Sequence, residues 1–147
     1  MRDLLFVGLF ALFFTNSHAA DINDLTYDAT GDTVIITDCA EDASGDLVIP
    51  ENIEGKPVAT IDGYAFFGCS SLTSITIPDS VTSIGYNAFG GCKKLITVTF
   101  LGDAPKEGPD VFKGATPTIY RKPDAKGWSD TFAGRPVKLI SEKPNNP

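Results

Sequence analysis

Histidine, cysteine and positive charge are all scarce in this sequence. Its 147 residues include one histidine and three cysteines, and 12 Lys and Arg against 19 Asp and Glu give a formal net charge of −7. Nucleic acid is disfavoured as a partner, because affinity for it comes chiefly from Lys and Arg, and no basic stripe is present. A membrane span is disfavoured too, because the longest apolar run covers only residues 4–14 and a span needs about 20 residues.

The N-terminus has the layout of a secretory signal peptide. Arg2 gives a charged start, residues 4–14 form the apolar core, and Ser17-His18-Ala19 places small residues at −3 and −1 of a cleavage site. A buried N-terminal helix is the alternative. Cleavage after Ala19 would leave an exported chain of residues 20–147 and remove the only histidine.

Without histidine, the mature chain lacks the imidazole needed for a Ser-His-Asp triad, a Cys-His pair or a zinc site. The motifs G-x-x-x-x-G-K, G-x-G-x-x-G, H-E-x-x-H and C-x-x-C are absent. We therefore expect no enzymatic activity, no cofactor and no metal. A small hydrolase using two carboxylates stays open, because acidic residues are plentiful.

A repeat of 23 residues is the main positive signal. Residues 61–77 align with residues 84–100 with seven identities in seventeen positions, where average composition gives about one. A third copy continues in phase through residues 111–114. Upstream, residues 47–50 echo residues 75–78 at an offset of 28. This pattern predicts four to five stacked coils, of which two are regular.

Alternation within each repeat separates inward from outward positions. Ile75 and Ile77 are predicted to point inward, and Ser74 and Thr76 outward. Phenylalanines in the return arcs fill the interior, and stability must come from stacking because one coil cannot bury its own apolar edge. The predicted repeat core comprises Ile61, Phe66, Leu72, Ile75, Ile77, Ile84, Phe89, Leu95, Val98, Phe100 and Phe112.

Ile61 to Gly85 reads I-x3-A-F-x-G-C-x2-L-x2-I-x-I-P-x2-V-x2-I-G, and Ala88 to Phe100 reads A-F-x-G-C-x2-L-x2-V-x-F. In order, spacing and residue type, these stretches closely resemble the BspA-like leucine-rich repeat family of bacterial surface proteins. The resemblance covers residues 45–115, and residues 118–136 look like a closing segment often seen after such repeats.

The resemblance implies a leucine-rich-repeat solenoid of the α/β-horseshoe class, rich in β structure, with short parallel strands and irregular caps. It also implies export to the cell surface or medium, and binding of protein or matrix partners. The expected organisation is a signal peptide at 1–19, one repeat domain at 20–140 and a flexible tail at 141–147. Within the domain, 20–46 and 116–140 are the caps and 47–115 the repeats.

The outward Ser74, Thr76, Thr97 and Thr99 are the predicted binding surface, because leucine-rich repeats commonly bind on this sheet face. A solvated β-face that merely favours threonine is the alternative for any single residue. A small secreted module fits better than a broad adhesin, because repeats are few and no L-P-x-T-G-like signal follows Pro136.

Trp128 clusters in sequence with Tyr120 and Phe132 and allows a second function, that of a carbohydrate-binding accessory protein. Sugars stack on exposed tryptophan. The other interpretation is that these aromatic side chains close the open end of the last coil.

Cys69 and Cys92 occupy equivalent positions in adjacent coils and are predicted to stack. They are either buried thiols or a disulfide, since neighbouring strands lie about 4.8 Å apart. A monomer with three cysteines leaves at least one unpaired, and we expect this to be Cys39.

Charge is unevenly distributed along the chain. Residues 20–54 contain ten acidic residues and no Lys or Arg, whereas residues 101–147 contain eight basic and six acidic residues. A polar cap that keeps the first coil soluble is one interpretation. Binding of divalent cations, and contact between the acidic end of one chain and the basic end of another, are the alternatives.

Overall fold

A computed structural model describes residues 19–145. The predicted signal peptide, apart from Ala19, lies outside the described residues. Between residues 19 and 145 there is no α-helix, only β-strands and two single turns of 3-10 helix, at Ile22–Asp24 and Ile140–Glu142. The strands are β1 (Leu25–Asp28), β2 (Val34–Cys39), β3 (Ser44–Val48), β4 (Asn52–Ile53), β5 (Lys56–Ile61), β6 (Ser71–Ile77), β7 (Ser83–Ile84), β8 (Thr97–Phe100), β9 (Lys106–Glu107), β10 (Thr118–Arg121), β11 (Thr131–Phe132) and β12 (Arg135–Leu139).

Two sheets run along a solenoid of about four coils. Sheet A has the order β1-β2-β5-β7-β9, with β4 paired to β5, and sheet B has the order β11-β12-β10-β8-β6-β3. Strands of successive coils pair in parallel, while the pairs β1–β2, β4–β5 and β11–β12 are antiparallel. The predicted β-rich, parallel solenoid is confirmed.

The repeat offsets found in the sequence equal the spacing, in residues, between paired positions of neighbouring strands in sheet B. Ile75 lies opposite Val98, at the predicted offset of 23, and Leu47 lies opposite Ile75, at the offset of 28. The larger offset arises because the intervening chain contains the hairpin β4–β5. Its two turn residues, Glu54 and Gly55, have φ of 55° and 79°, as a type I′ turn requires.

A second hairpin of the same design joins β11 to β12 and was not recognised in the sequence. The segment I-E-G-K-P-V at 53–58 is echoed by F-A-G-R-P-V at 132–137. Ala133 and Gly134 again have positive φ, 49° and 78°. In both hairpins the final valine N–H donates to the carbonyl seven residues earlier, at 2.9 Å. One short turn element is therefore used twice, once in each sheet.

A column of phenylalanine rings forms the centre of the core. Phe66 and Phe89 are nearly parallel, with centroids 4.9 Å apart and planes 11° apart, and Phe89 lies 5.5 Å from Phe112 at 19°. All eleven residues predicted for the repeat core are buried. Packing between coils thus continues from sheet B into the return arcs.

The return arcs at 63–69, 86–92 and 109–115 are hydrogen-bonded directly to one another. Three alternate N–H groups of one arc donate to three alternate carbonyls of the next, at 2.8–3.1 Å. The pairs are Tyr64–Tyr86, Phe66–Ala88 and Gly68–Gly90 between the first two arcs, and Asn87–Pro109, Phe89–Val111 and Gly91–Lys113 between the last two.

The glycines of the arcs serve two different purposes. Gly68 and Gly91 have φ of 77° and 71°, the left-handed geometry expected of tight bends. Gly85, which directly precedes the second arc, has no positive φ. It is required for close approach instead, because a Cβ at this position would lie 2.5 Å from the Gly63 nitrogen of the previous coil.

Replacing the central ring of the column tests how much the stack contributes. We expect Phe89→Ala to lower the free energy of unfolding by about 3–5 kcal/mol, because it leaves a cavity between two packed rings. Phe67→Ala is the matched control, since Phe67 is half exposed, and it should cost less than about 1 kcal/mol. Urea denaturation measures both, and equal losses would contradict the core role of Phe89.

Candidate functional site

Outward side chains of sheet B form two rows that cross the strands. The first row is Asp46, Ser74, Thr97 and Thr118, and the second is Val48, Thr76, Thr99 and Tyr120. The four predicted binding residues therefore lie together at the centre of the face, two from β6 and two from β8. We call Ser74, Thr76, Thr97 and Thr99 the hydroxyl face.

One corner of the hydroxyl face is covered by the C-terminal segment. Thr99 is only 6% exposed, and Lys143 Nζ donates to its Oγ1 at 3.3 Å. The same ammonium lies 5.9 Å from the ring centroid of Tyr120, which is also buried. The segment expected to be a flexible tail from Ser141 is thus in contact with the sheet through Lys143. The accessible part of the face is Ser74, Thr76 and Thr97.

Asp46 orients the hydroxyls at the other side of the face. Ser74 Oγ donates to Asp46 Oδ1 at 2.6 Å, and Thr73 Oγ1 donates to the same oxygen at 3.4 Å. Exposed Val48 lies in the adjacent row, and exposed Ile96 immediately precedes β8.

Trp128 is partly buried and packs against the core, rather than being a free stacking platform. Its Nε1 donates to the Gly102 carbonyl at 3.2 Å, and its ring lies 5.0 Å from Phe100 and 5.2 Å from Phe132. Tyr120 belongs to the outward face of sheet B and not to this group. The arrangement is the one expected of aromatic side chains that close the last coil.

An exposed aromatic cluster on the return arcs was missed by the sequence analysis. Tyr64, Phe67 and Tyr86 are 52%, 50% and 41% exposed. Tyr64 makes edge-to-face contacts with both, with centroids 5.6 Å and 5.3 Å apart. The signal was available, because Tyr64 and Phe67 flank the buried Ala65 and Phe66, and Tyr86 lies two residues before the buried Ala88.

All three cysteines are buried free thiols in the structure. Cys92 Sγ donates to the Phe66 carbonyl at 3.1 Å, and Cys69 Sγ donates to the Cys39 carbonyl at 3.7 Å. Cys39, expected to be the isolated cysteine, is therefore in contact with Cys69. A hydrogen bond between these two thiols raises the pKa of Cys39, and burial raises the pKa of Cys92 to about 12.

The acidic N-terminal region contains local pairings. Tyr27 Oη donates to Glu54 Oε2 at 2.8 Å, which raises the Tyr27 pKa, and Lys56 Nζ donates to the Ala29 carbonyl. Within residues 19–145, no group of three or more His, Cys, Asp or Glu side chains is placed to hold a metal ion. The same residues include no helix long and apolar enough to cross a membrane.

A family model for the BspA type leucine rich repeat region matches residues 46–119, in six copies. The chain belongs to the BspA-type leucine-rich repeat family. The matched residues contain both regular repeats, the three return arcs and the whole hydroxyl face. A search of curated protein sequences found no match.

Solved structures share the solenoid fold of this BspA-type chain. A leucine-rich repeat protein from Bacteroides capillosus is 21% identical with a TM-score of 0.55, covering 80% of this chain and 95% of its own. The T. pallidum leucine-rich repeat protein is 22% identical with a TM-score of 0.51, covering 70% and 71%. A leucine rich cell surface protein from Faecalibacterium prausnitzii is 21% identical with a TM-score of 0.54, covering 86% and 44%.

The buried Cys92 thiol makes stability depend on pH. Below its ordinary pKa of 9.0 the thiol is protonated in both the folded and the unfolded chain. Between pH 9.0 and about 12 only the unfolded chain releases the proton, so stability falls as pH rises. We expect Cys92→Ala to remove this part of the fall. Urea denaturation of both proteins at pH values from about 8 to about 11 measures it, and identical slopes would contradict the burial.

Proposed function

We propose that this BspA-type chain is an exported, non-enzymatic binding module that contacts a protein or matrix partner through its hydroxyl face. Ser74, Thr76 and Thr97 are the residues available for contact, with Val48 and Ile96 beside them. Thr99 is covered by Lys143 and becomes available only when the C-terminal segment moves away.

The observation that carries this proposal is the ordered polar row on sheet B. Asp46 accepts from Ser74, and Thr97 lies opposite Ser74 on the neighbouring strand. Side chains fixed on paired strands lose little conformational freedom on binding, which favours recognition. Family membership and the fold of a cell surface relative support an extracellular interaction role.

Charge placed on this face tests the proposal. The chain 20–147 is immobilised, and protein captured from the extracellular medium of its source is quantified for wild type and for Ser74→Lys/Thr76→Lys/Thr97→Lys. We expect capture of the specific partner to weaken by at least about tenfold, because three ammonium groups must be desolvated at the interface.

The control carries the same charge change on sheet A. Thr60→Lys/Thr82→Lys/Ser83→Lys lies on or beside β5 and β7, away from the hydroxyl face. It should retain capture. Equal loss in both variants would indicate a general charge effect, and full retention by the first variant would exclude the hydroxyl face.

Carbohydrate binding is a second candidate, favoured by the exposed aromatic cluster of Tyr64, Phe67 and Tyr86 rather than by Trp128. Under this alternative, binding to immobilised glycans should be lost in Tyr64→Ala/Tyr86→Ala and retained in the hydroxyl-face lysine variant. Aromatic faces contribute about 1 kcal/mol or more per contact, so the loss is measurable. Absence of wild-type binding to any glycan, or its survival in the tyrosine variant, would reject this site.

A further inference from the structure

The ladder of hydrogen bonds between return arcs ends at an open row of donors. From the first arc to the second, and from the second to the third, each donor N–H donates to a carbonyl 22 residues further along the chain. In the third arc the corresponding donors are the N–H groups of Asp110, Phe112 and Gly114. Within residues 19–145, no carbonyl or side chain accepts a hydrogen bond from these three groups.

A groove lies directly beside this row. It has a volume of about 550 Å³ and is bordered on one side by residues 107–110 and 112–116 and on the other by Ala133, Gly134 and Arg135 of the second hairpin. The groove exists because β12 extends sheet B one strand beyond the third coil, whereas sheet A stops at β9 and the arcs stop at the third.

We propose that this groove, the open-arc groove, is a docking site for a short segment of another polypeptide that supplies three backbone carbonyls at alternate residues. The second and third arcs each present such a set of carbonyls to the arc before them. In each case three carbonyls spaced two residues apart accept from the preceding arc at 2.8–3.1 Å. A bound segment would continue the ladder by one coil, in the manner of strand addition to a sheet edge.

The conformation of the interior arcs also indicates the kind of segment. Asn87 and Gly91, at the two ends of the second arc, have φ of 55° and 71°, values that asparagine and glycine tolerate best. The first of these positions is Tyr64 in the first arc and Asp110 in the third, with φ of 61° and 58°, whereas the second is glycine in all three arcs. A docking segment therefore needs glycine near its second end. Between the two positions, a small residue admits the neighbouring arc, as Ala88 does in the second arc.

A second copy of this chain does not fit the groove as a rigid body. The complementary carbonyls of its first arc are at Gly63, Ala65 and Phe67, but β2 and β3 extend both sheets past that arc. In this placement β2 and β3 of the second copy would occupy the same space as β9 and β10 of the first copy, and β6 the same space as β12. A folded second copy is thereby excluded, and we assign the groove to a segment of a different chain. The site is separate from the hydroxyl face and independent of its function.

A synthetic peptide with the sequence of residues 85–92, carrying Cys92→Ser, is the probe. It is titrated into the ¹⁵N-labelled chain 20–147 and followed by amide chemical shifts. We expect saturable downfield shifts of the Asp110, Phe112 and Gly114 amide protons. At a peptide concentration about ten times the dissociation constant, their hydrogen exchange should slow about tenfold. A peptide of the same composition in shuffled order is the control.

Two variants of the protein complete the test. Thr116→Trp fills the groove from an exposed position and should abolish the shifts, while Lys93→Trp, at the equivalent position one coil earlier, should leave them unchanged. The proposal is overturned by unchanged shifts, by equal effects of the shuffled peptide, or by shifts centred on the hydroxyl face. It is also overturned if these three amides are as protected in the free chain as those of Asn87, Phe89 and Gly91.

Discussion

Stacking of each coil on the next is the interaction on which the rest of this structure depends. A single coil has no buried interior of its own, so the stacked rings of Phe66, Phe89 and Phe112 and the arc hydrogen bonds hold the coils together. The consequences are clearest at the ends. The antiparallel pair β1–β2 closes sheet A at the first end, and Trp128 and the second hairpin close the core at the other.

Surface and core are aligned by the same register. A strand places alternate residues on opposite faces, so a register that brings Ile75 beside Val98 must also bring Ser74 beside Thr97. The hydroxyl face follows directly from the packing of the core. Its boundaries depend on other contacts, because Asp46 orients one side and Lys143 covers the other.

Features that repeat were predictable, and features made by a single contact were not. The core residues could be named because each repeats at a fixed offset and the offset equals the strand register. The covering of Thr99 could not, because Lys143 is 44 residues away in sequence and belongs to no repeat. The second hairpin is an intermediate case, because the repeated segment at 53–58 and 132–137 is short and its two copies belong to different sheets. Cys39 was missed as the neighbour of Cys69 because the first coil is irregular.

The sequence by itself determined the repeat period, the fold class, the inward and outward positions and the absence of histidine from residues 19–145. Those properties depend on local alternation and on one repeated offset, which a linear pattern records. Only the tertiary structure decided which hydroxyls are accessible, that Trp128 is packed while Tyr64 is exposed, and that the third arc ends in unpaired donors. These depend on which coil is last and on what folds back over it, and neither is encoded in the period.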